Sequence, residues 1–475
     1  MRTDMKRWKG CCWLLLLLLL GLLVTVGVLL FLARVPRCSR DAPYSHAAVA
    51  ADSHTCSQVG RGILQKGGSA VDAAIAALLC SSLVQPQSLG IGGGAIHTIY
   101  HAATGRVVVI NAREGRSEEY APGLPASMMS PERLQDVLKG EGEQPEVAVH
   151  IGINDTGRER GMHLPGNKLA EQCNITEEDF RQYKVRVMQP QSISLRDYTM
   201  YTPPWPSRGA ILSFVLKILE GFNFSPQSME GKERKQTYHR IIEALKFGNG
   251  QLTKVNSANM SLLLSEEFAV AARRRIDNKT HLPSYYSNDL RGQESYGTSH
   301  VSVVDREGNA VSVTSSINHI FGSLVYSSRT GIILNNQLAD FCDSVTNTKK
   351  VAGQQPPSSM SPSILLSKDK GSMMVVGAAG GTMILSTTAQ VIMNKLWFGL
   401  SLEEAIREPR THVMVNNFVQ FEEEFDKDVV EAMRQKGHHV SESMQLKPIV
   451  QGIFRDHNCI EAVSDQRKLG KAAGD

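Results

Sequence analysis

From Cys11 to Ala33 the chain reads CCWLLLLLLLGLLVTVGVLLFLA, without one charged residue. A helix needs about 20 apolar residues to span the hydrocarbon core of a bilayer, and this run is long enough. Arg2, Lys6, Arg7 and Lys9 precede it, and Arg34, Arg37 and Arg40 follow. A short basic tail is best kept in the cytosol. The pattern therefore predicts a cytoplasmic tail over 1–10, a signal-anchor over 11–33, and everything beyond outside the cytosol. A plasma-membrane, single-pass type II arrangement follows. The rival, a cleaved signal peptide, has an apolar core of roughly 7–15 residues, well short of this one.

Two further features agree with the secretory route. Sequons stand at Asn154, Asn174, Asn223, Asn259 and Asn278, and such sites are glycosylated only there. The pattern is short enough to arise by chance, and Pro226 weakens Asn223. Eight cysteines include no CxxC pair, which argues against a zinc knuckle or a thioredoxin-type site. Cys56 and Cys80 flank a predicted helix and could staple its ends or remain buried thiols.

The 475 residues are 42% hydrophobic and 21% charged, enough apolar surface to exclude a disordered chain. The net charge of +4 comes from 51 basic and 47 acidic residues. With no Lys/Arg stripe, it gives no footprint for a nucleic-acid partner.

The chain predicts a helix over Cys56–Gln65 ended by Gly67-Gly68. Ser69-Ala-Val-Asp72 is a capping box opening an Ala-rich helix. A glycine loop over residues 90–94 leads into a hairpin with strands near 95–100 and 106–112. Residues 114–185 are polar and show no sustained period. Apolar AILSFVLKILEGF and the Thr237–Phe247 stretch read as helices. From Thr298 the texture becomes strands: SHVSVVD, AVSVTSS, GIILNN and MMVVGAAGG. Ser401-Leu-Glu-Glu404 opens another capped helix closed by Pro409.

The glycine loop fits G-x-G-x-x-G/A, with Glu114 near the distance of a ribose-binding acid. No clear strand precedes it and a strand follows, so close backbone packing is the better reading. No HExxH, metal-ligand spacing or G-x-S-x-G elbow occurs. His438-His439 lies in a polar stretch and reads as solvated. Thr298, at the head of a strand behind Gly297, has two readings. As an ordinary strand residue it needs no explanation. If the chain is cut before it, its hydroxyl is a nucleophile and its freed α-amine, titrating near 7.7–8.0, is a base. The run Gly377–Thr382 following a strand is a tight turn whose N–H groups could form an anion nest.

Together these pieces resemble the γ-glutamyltransferases (glutathione hydrolases). The motifs AAVAADSHTCSQVGRGIL, GGSAVDAAIAALLC, QSLGIGGG, INARE, YGTSHVSVVDREGNAVSVTSSIN, GIILNN, PPSSMSPSILL and GAAGGT stand in the family's order. The resemblance covers residues 45–114 and 186–475. AILSFVLKILEGFNFS, VYSSRTGIILNN and AVSDQRKLGKAAGD look most like the leukotriene-C4-cleaving branch.

The resemblance implies an α/β N-terminal-nucleophile hydrolase, an αββα sandwich behind the transmembrane helix. The proenzyme would cleave itself between Gly297 and Thr298 into a large subunit (34–297 beyond the anchor) and a small catalytic one (298–475). Thr298 becomes the nucleophile, Gly380 and Gly381 the oxyanion hole, and Ser316 a positioning hydroxyl. Arg113, Ser358 and Ser359 would take the α-carboxylate of a γ-glutamyl group, and Asn318 and Asp340 its ammonium. Cys56–Cys80 matches a family disulfide. Substrates would be glutathione and its conjugates, acceptors would be water or amino acids, and no metal or organic cofactor is implied.

Three departures stand out. Gln337 replaces the family's Glu and loses a charge opposite the ammonium. Ser316 replaces Thr. Residues 115–175 are too few and too polar to supply the helical stretch that normally follows a VPGE motif, echoed faintly by Leu164-Pro-Gly-Asn167. A second, smaller gap follows Phe247-Gly-Asn-Gly250. The alternative expectation is thus an unprocessed, inactive membrane glycoprotein.

Overall fold

The computed structural model describes residues 38, 43–115, 183–256, 258–287, 297–341, 353–441, 444 and 446–475. The apolar run, the tail before it, Asn154, Asn174 and Leu164–Asn167 lie outside these residues. Among the described residues no helix is long and apolar enough to cross a membrane.

Two antiparallel sheets form the centre. The first runs, edge to edge, Ala473–Gly474, Ala48–Ala51, Gly297–Val304, Ala310–Asn318, Gly94–His101, Arg106–Ala112 and Arg186–Met188. The second runs Cys459–Ser464, Ile449–Asp456, Ser372–Ala379, Ser363–Ser367, Tyr198–Thr202 and Gln191–Leu195. Strand Gly297–Val304 is buried at every position, because each of its faces is covered. Val301 and Val303 point to one helical layer, while Val304 meets Val375 and Ile453 of the second sheet. That alternation is the period of a strand.

The helical layer on the first sheet is a pair, His54–Gln65 and Ala70–Val84. Ala70, Ala73, Ala74 and Ala77 form the buried stripe against Val49, Val301, Val303, Val311 and Val313, at the spacing of one helix face. Such small side chains let helix and sheet approach closely. The Ser69–Asp72 capping box forms as expected. Cys56 and Cys80 are joined as a disulfide, which ties the two helices to each other rather than the ends of one.

On the far side of the second sheet lie Gly209–Glu220, Met383–Leu396 and Leu402–Arg407, with Gly231–Asn249 and Lys427–Gln435 behind them. Gly209–Glu220 is buried almost all round, as its unbroken apolar sequence requires. The arrangement is helix, sheet, sheet, helix. Differences from the sequence reading are local. GIILNN yields only Ile332–Ile333, paired with Tyr326–Ser327 in a separate ribbon. The helix expected at Thr237 begins at Gly231. His438 is buried, not solvated, while His439 is exposed. Asn223 and Asn278 are exposed. The Asn259 amide donates to the Lys254 carbonyl at 2.5 Å while its oxygen accepts from Asn256 N–H.

Candidate active site

The strand pair carrying Thr298 is regular except at its start. Thr298 pairs with Ser316 but Gly297 pairs with Asn318, so the register jumps at the Gly297–Thr298 bond. Such a bulge re-aims the backbone locally. Only glycine fits there: a Cβ on Gly297 would stand 2.2 Å from the His319 carbonyl oxygen. The Ser316 hydroxyl sits in the bulge. It donates to the Gly297 carbonyl at 2.6 Å and accepts from the Thr298 hydroxyl at 3.2 Å and the Asn318 N–H at 2.8 Å. One hydroxyl thus touches both the oxygen of the bulged peptide and the side chain after it. Thr298 is 5% exposed.

The glycine loop backs this bulge. A Cβ on Gly93 would lie 2.2 Å from the Ser316 carbonyl oxygen, and one on Gly92 2.0 Å from that of Ile333. Close backbone approach, the reading preferred from sequence, is what these glycines provide.

Gly380 and Gly381 follow strand Ser372–Ala379 at φ of +127° and +58°, just before helix Met383–Leu396. Their relation to Thr298 is set by the packing of the sheets. Ser302 donates to the Val375 carbonyl at 3.4 Å, and a Cβ on Gly377 would fall 2.3 Å from the His300 ring. These contacts run in opposite directions along the two strands, toward Thr298 on one and toward the Gly380-Gly381 turn on the other. His300 fills the space below. Its Nδ1 faces Thr314 Oγ1 at 2.8 Å and its Nε2 faces Ser302 Oγ at 3.1 Å. Burial pushes its pKa down to about 3, so the ring is neutral.

Arg113, 2% exposed, is the hub of the remaining residues. Its Nε donates to the Pro356 carbonyl at 2.7 Å, and Nη2 to the Pro357 carbonyl at 2.9 Å and to Asp340 Oδ2 at 2.6 Å. Nη1 donates to Gln337 Oε1. Gln337 in turn donates to the Ser316 carbonyl at 2.8 Å, which links the hub to the bulge. Asn318, at φ +77°, donates through Nδ2 to the Asn336 carbonyl at 3.2 Å. Ser358 follows the two proline carbonyls; its hydroxyl accepts from Met360 N–H at 3.2 Å. Ser359 accepts from Arg208 Nη1 at 3.4 Å. The structure therefore brings Arg113, Gln337, Asp340 and Ser316 into one hydrogen-bonded set, with Asn318 bonded to Ser316 and Ser358 adjoining the carbonyls that hold Arg113.

Three side chains escaped the sequence reading. From sequence, Glu114 reads only as a ribose-ligand candidate. Both its carboxylate oxygens are shut from solvent without a hydrogen-bond partner, 3.9 Å from Arg113. Burial pushes its pKa up to about 7 against the pull of Arg113. Its place beside Arg113 was the available signal. His300 could have been found from its i+2 spacing to Thr298. Lys468 lies within the terminal motif AVSDQRKLGKAAGD, and its Nζ donates to Asp52 Oδ2 at 2.5 Å, Ser299 Oγ at 3.2 Å and the Thr298 carbonyl at 3.4 Å.

With this geometry in hand, comparison with known proteins is decisive. The family model described as Gamma-glutamyltranspeptidase matches residues 56–130 and 167–475. The chain belongs to this family. Glutathione hydrolase 5 proenzyme of Rattus norvegicus is 36% identical, with 98% of each chain covered. The Homo sapiens protein of the same name is also 36% identical, over 96% of this chain and 98% of its own. The rat alignment runs over 566 positions and covers 98% of this 475-residue chain, so about a hundred of its positions face gaps in this chain. In three dimensions the chain resembles a cephalosporin acylase from Bacillus halodurans, with a TM-score of 0.70 at 23% identity over 93% of this chain and 98% of that one. That likeness concerns the fold. As a member of the γ-glutamyltranspeptidase family, the protein is an enzyme of the hydrolase and transferase class.

Proposed function

We propose that this chain is a proenzyme anchored by residues 11–33, with its bulk outside the cytosol, that cuts itself before Thr298 and then cleaves γ-glutamyl amides. The substrate class is glutathione and its conjugates, leukotriene C4 among them. The observation that carries the proposal is the Ser316 hydroxyl bridging the Gly297 carbonyl and the Thr298 hydroxyl.

In the first step Thr298 Oγ attacks the Gly297 carbonyl carbon, whose oxygen Ser316 polarises. The peptide C–N bond breaks, an ester forms on Oγ, and the nitrogen leaves as the α-amine of Thr298. Water then hydrolyses the ester, leaving a carboxylate on Gly297. In catalysis the freed amine accepts the Oγ proton as Oγ attacks the γ-carbonyl. The N–H groups of Gly380 and Gly381 are proposed to hold the oxyanion, a contribution of about 10²–10³ per donor in comparable sites. The leaving amine takes the proton back, and water or an amino acid releases the glutamyl group.

The amino-acid head of the substrate carries one positive and one negative charge. Arg113 and Asp340 already pair at 2.6 Å, so the zwitterion would substitute its carboxylate and ammonium for that internal pair, with Ser358, Ser359, Asn318 and Gln337 as further partners. Exchange of one charge-assisted pair for two keeps the buried groups satisfied.

The hundred or so gapped positions favour a second reading, an unprocessed and silent glycoprotein. Expression in secretory cells, deglycosylation and mass spectrometry of the fragments separates the two. The enzyme reading expects a fragment beginning at Thr298 and activity on γ-glutamyl-p-nitroanilide, both lost in Thr298→Ala. A folded wild-type chain that stays whole and inactive would leave the second reading.

A further inference from the structure

Cys38 and Cys459 carried no signal in the sequence, being 421 residues apart, yet they form a disulfide. Cys38 lies just beyond the apolar run; Cys459 opens the edge strand of the second sheet. Their positions fall on opposite sides of the Gly297–Thr298 bond.

The surrounding backbone shows that the pairing is no isolated contact. Tyr44 exchanges both hydrogen bonds with Ile460, at 2.8 and 3.3 Å, and its ring packs on the inter-sheet cluster that contains Ile460 and Ile453. Ser45 and His46 N–H groups donate to the Asp475 carbonyl at 2.8 and 2.9 Å, and Asp475 N–H returns a bond to Ala47 at 2.9 Å. Strand Ala48–Ala51 then lies between Gly297–Val304 and Ala473–Gly474. From residue 44 to residue 51, the stem's backbone partners in these pairings belong to the portion from Gly297 onward.

We propose that in the mature protein Cys38–Cys459 is a covalent bond between the subunits, tying the catalytic fragment to the membrane-proximal stem. This rests on the cut proposed above. The bond forms by oxidation of two thiols, whose two electrons and two protons pass by thiol–disulfide exchange to a protein disulfide of the secretory compartment, itself reduced to a dithiol. Cys56–Cys80 cannot serve, since both cysteines precede the cut. Without Cys38–Cys459 the described residues of the two fragments are held by sheet pairings and packing, with no other disulfide joining them. With it, the fragment bearing Thr298 cannot leave the anchor until the bond is reduced.

The test uses the full chain in secretory cells, alkylated with iodoacetamide on lysis, deglycosylated, and run with and without dithiothreitol. The expected result is one full-length band without reductant and two fragments with it, while Cys459→Ser gives two fragments in both lanes. Two wild-type fragments without reductant would overturn the proposal and leave the cut standing. A Cys459→Ser protein still linked without reductant would overturn it too, pointing to Cys173 and Cys342. An uncut chain in both lanes would overturn the cut and with it the subunit role. A non-reduced digest of the wild type, searched for the bridged Cys38–Cys459 peptide, tells that failure from a failure of the pairing itself and needs no variant to fold.

Discussion

Two buried polar clusters lie on opposite faces of the second sheet, and they are built from different materials. The inter-sheet cluster is made of His300, Ser302, Ser312 and Thr314, neutral groups whose hydroxyls end on the carbonyls of Val375, Val376 and Gln451. The outer cluster, among the helices, is charged. His239 donates from Nε2 to the Asp277 carbonyl at 2.8 Å, so its Nδ1 must accept from His438 Nε2, also at 2.8 Å. His438 Nδ1 then accepts from Lys246 Nζ at 2.8 Å. Lys246 also donates to Thr280 and faces Glu243 at 3.6 Å, while Tyr286 donates to that carboxylate at 2.7–2.8 Å. His239, Glu243 and His438 lie close enough together to suggest a metal site. The tautomers leave no imidazole lone pair for one. The outer cluster is closed on itself and reads as a stability device; the inter-sheet cluster lies on the two strands that also carry Thr298 and Ser316, which the proposed function assigns to chemistry.

That contrast can be broken. The largest effect should come from Lys246→Met, which strands a buried carboxylate and should cost about 3–5 kcal/mol in denaturant unfolding. Activity per folded molecule should stay unchanged; a loss of activity without loss of stability would erase the distinction. Ser316→Ala should do the opposite. Fragment formation in pulse–chase should slow by about 10²–10³, the scale for one lost donor to a developing oxyanion, while stability shifts by only about 1 kcal/mol. Normal maturation in that variant would remove Ser316 from the mechanism.

Acid sharpens the comparison by acting on both clusters at once. Burial lowers the pKa of His239 to about 4, of His300 to about 3 and of His438 to about 2. The unfolded chain binds those protons below about pH 6.5 and the folded one does not. Stability is therefore full above pH 6.5 and falls as pH drops, by about 1.4 kcal/mol per pH unit for each histidine. Glu114, raised to about 7, opposes this slope over the same range. Unfolding measured between pH 7 and 4.5 therefore reads the balance, and His438→Gln should reduce the acid-side loss by about 1.4 kcal/mol per pH unit. An unchanged slope would mean that His438 is already protonated in the fold. The smallest effect is expected of Gln337→Glu. A charge restored opposite the substrate ammonium should lower KM by about 5- to 30-fold, equivalent to about 1–2 kcal/mol. A raised KM would show that Gln337 serves Arg113 and the Ser316 carbonyl alone.

Much of the first sheet and its helices was legible in sequence, because the signals were local. Ser69–Asp72 and Ser401–Glu404 announce their caps within four residues, and the Gly94–Ala112 hairpin alternates around a short turn. The candidate nucleophile was legible only through the ordered motifs around it; threonine at a strand start is otherwise commonplace. The second sheet was harder. Gln191–Leu195 is short and polar at alternate positions, and Ile449–Asp456, though eight residues long, owes its burial to pairing with Ser372–Ala379, some seventy residues earlier. His438 is buried against its polar sequence for the same reason: its partners, His239 and Lys246, come from helix Gly231–Asn249, nearly two hundred residues earlier. Arg113–Asp340 and Cys38–Cys459, 227 and 421 residues apart, leave no periodic trace at all.

Lys468 reaches the Thr298 carbonyl from the final eight residues of the chain, and Ala473–Gly474 completes the first sheet beside Ala48–Ala51. The surroundings of Thr298 are thus assembled across 170 residues of chain. Disrupting residues 468–474 would leave every residue of the bulge in place, yet remove the ammonium beside it and the strand that closes the sheet.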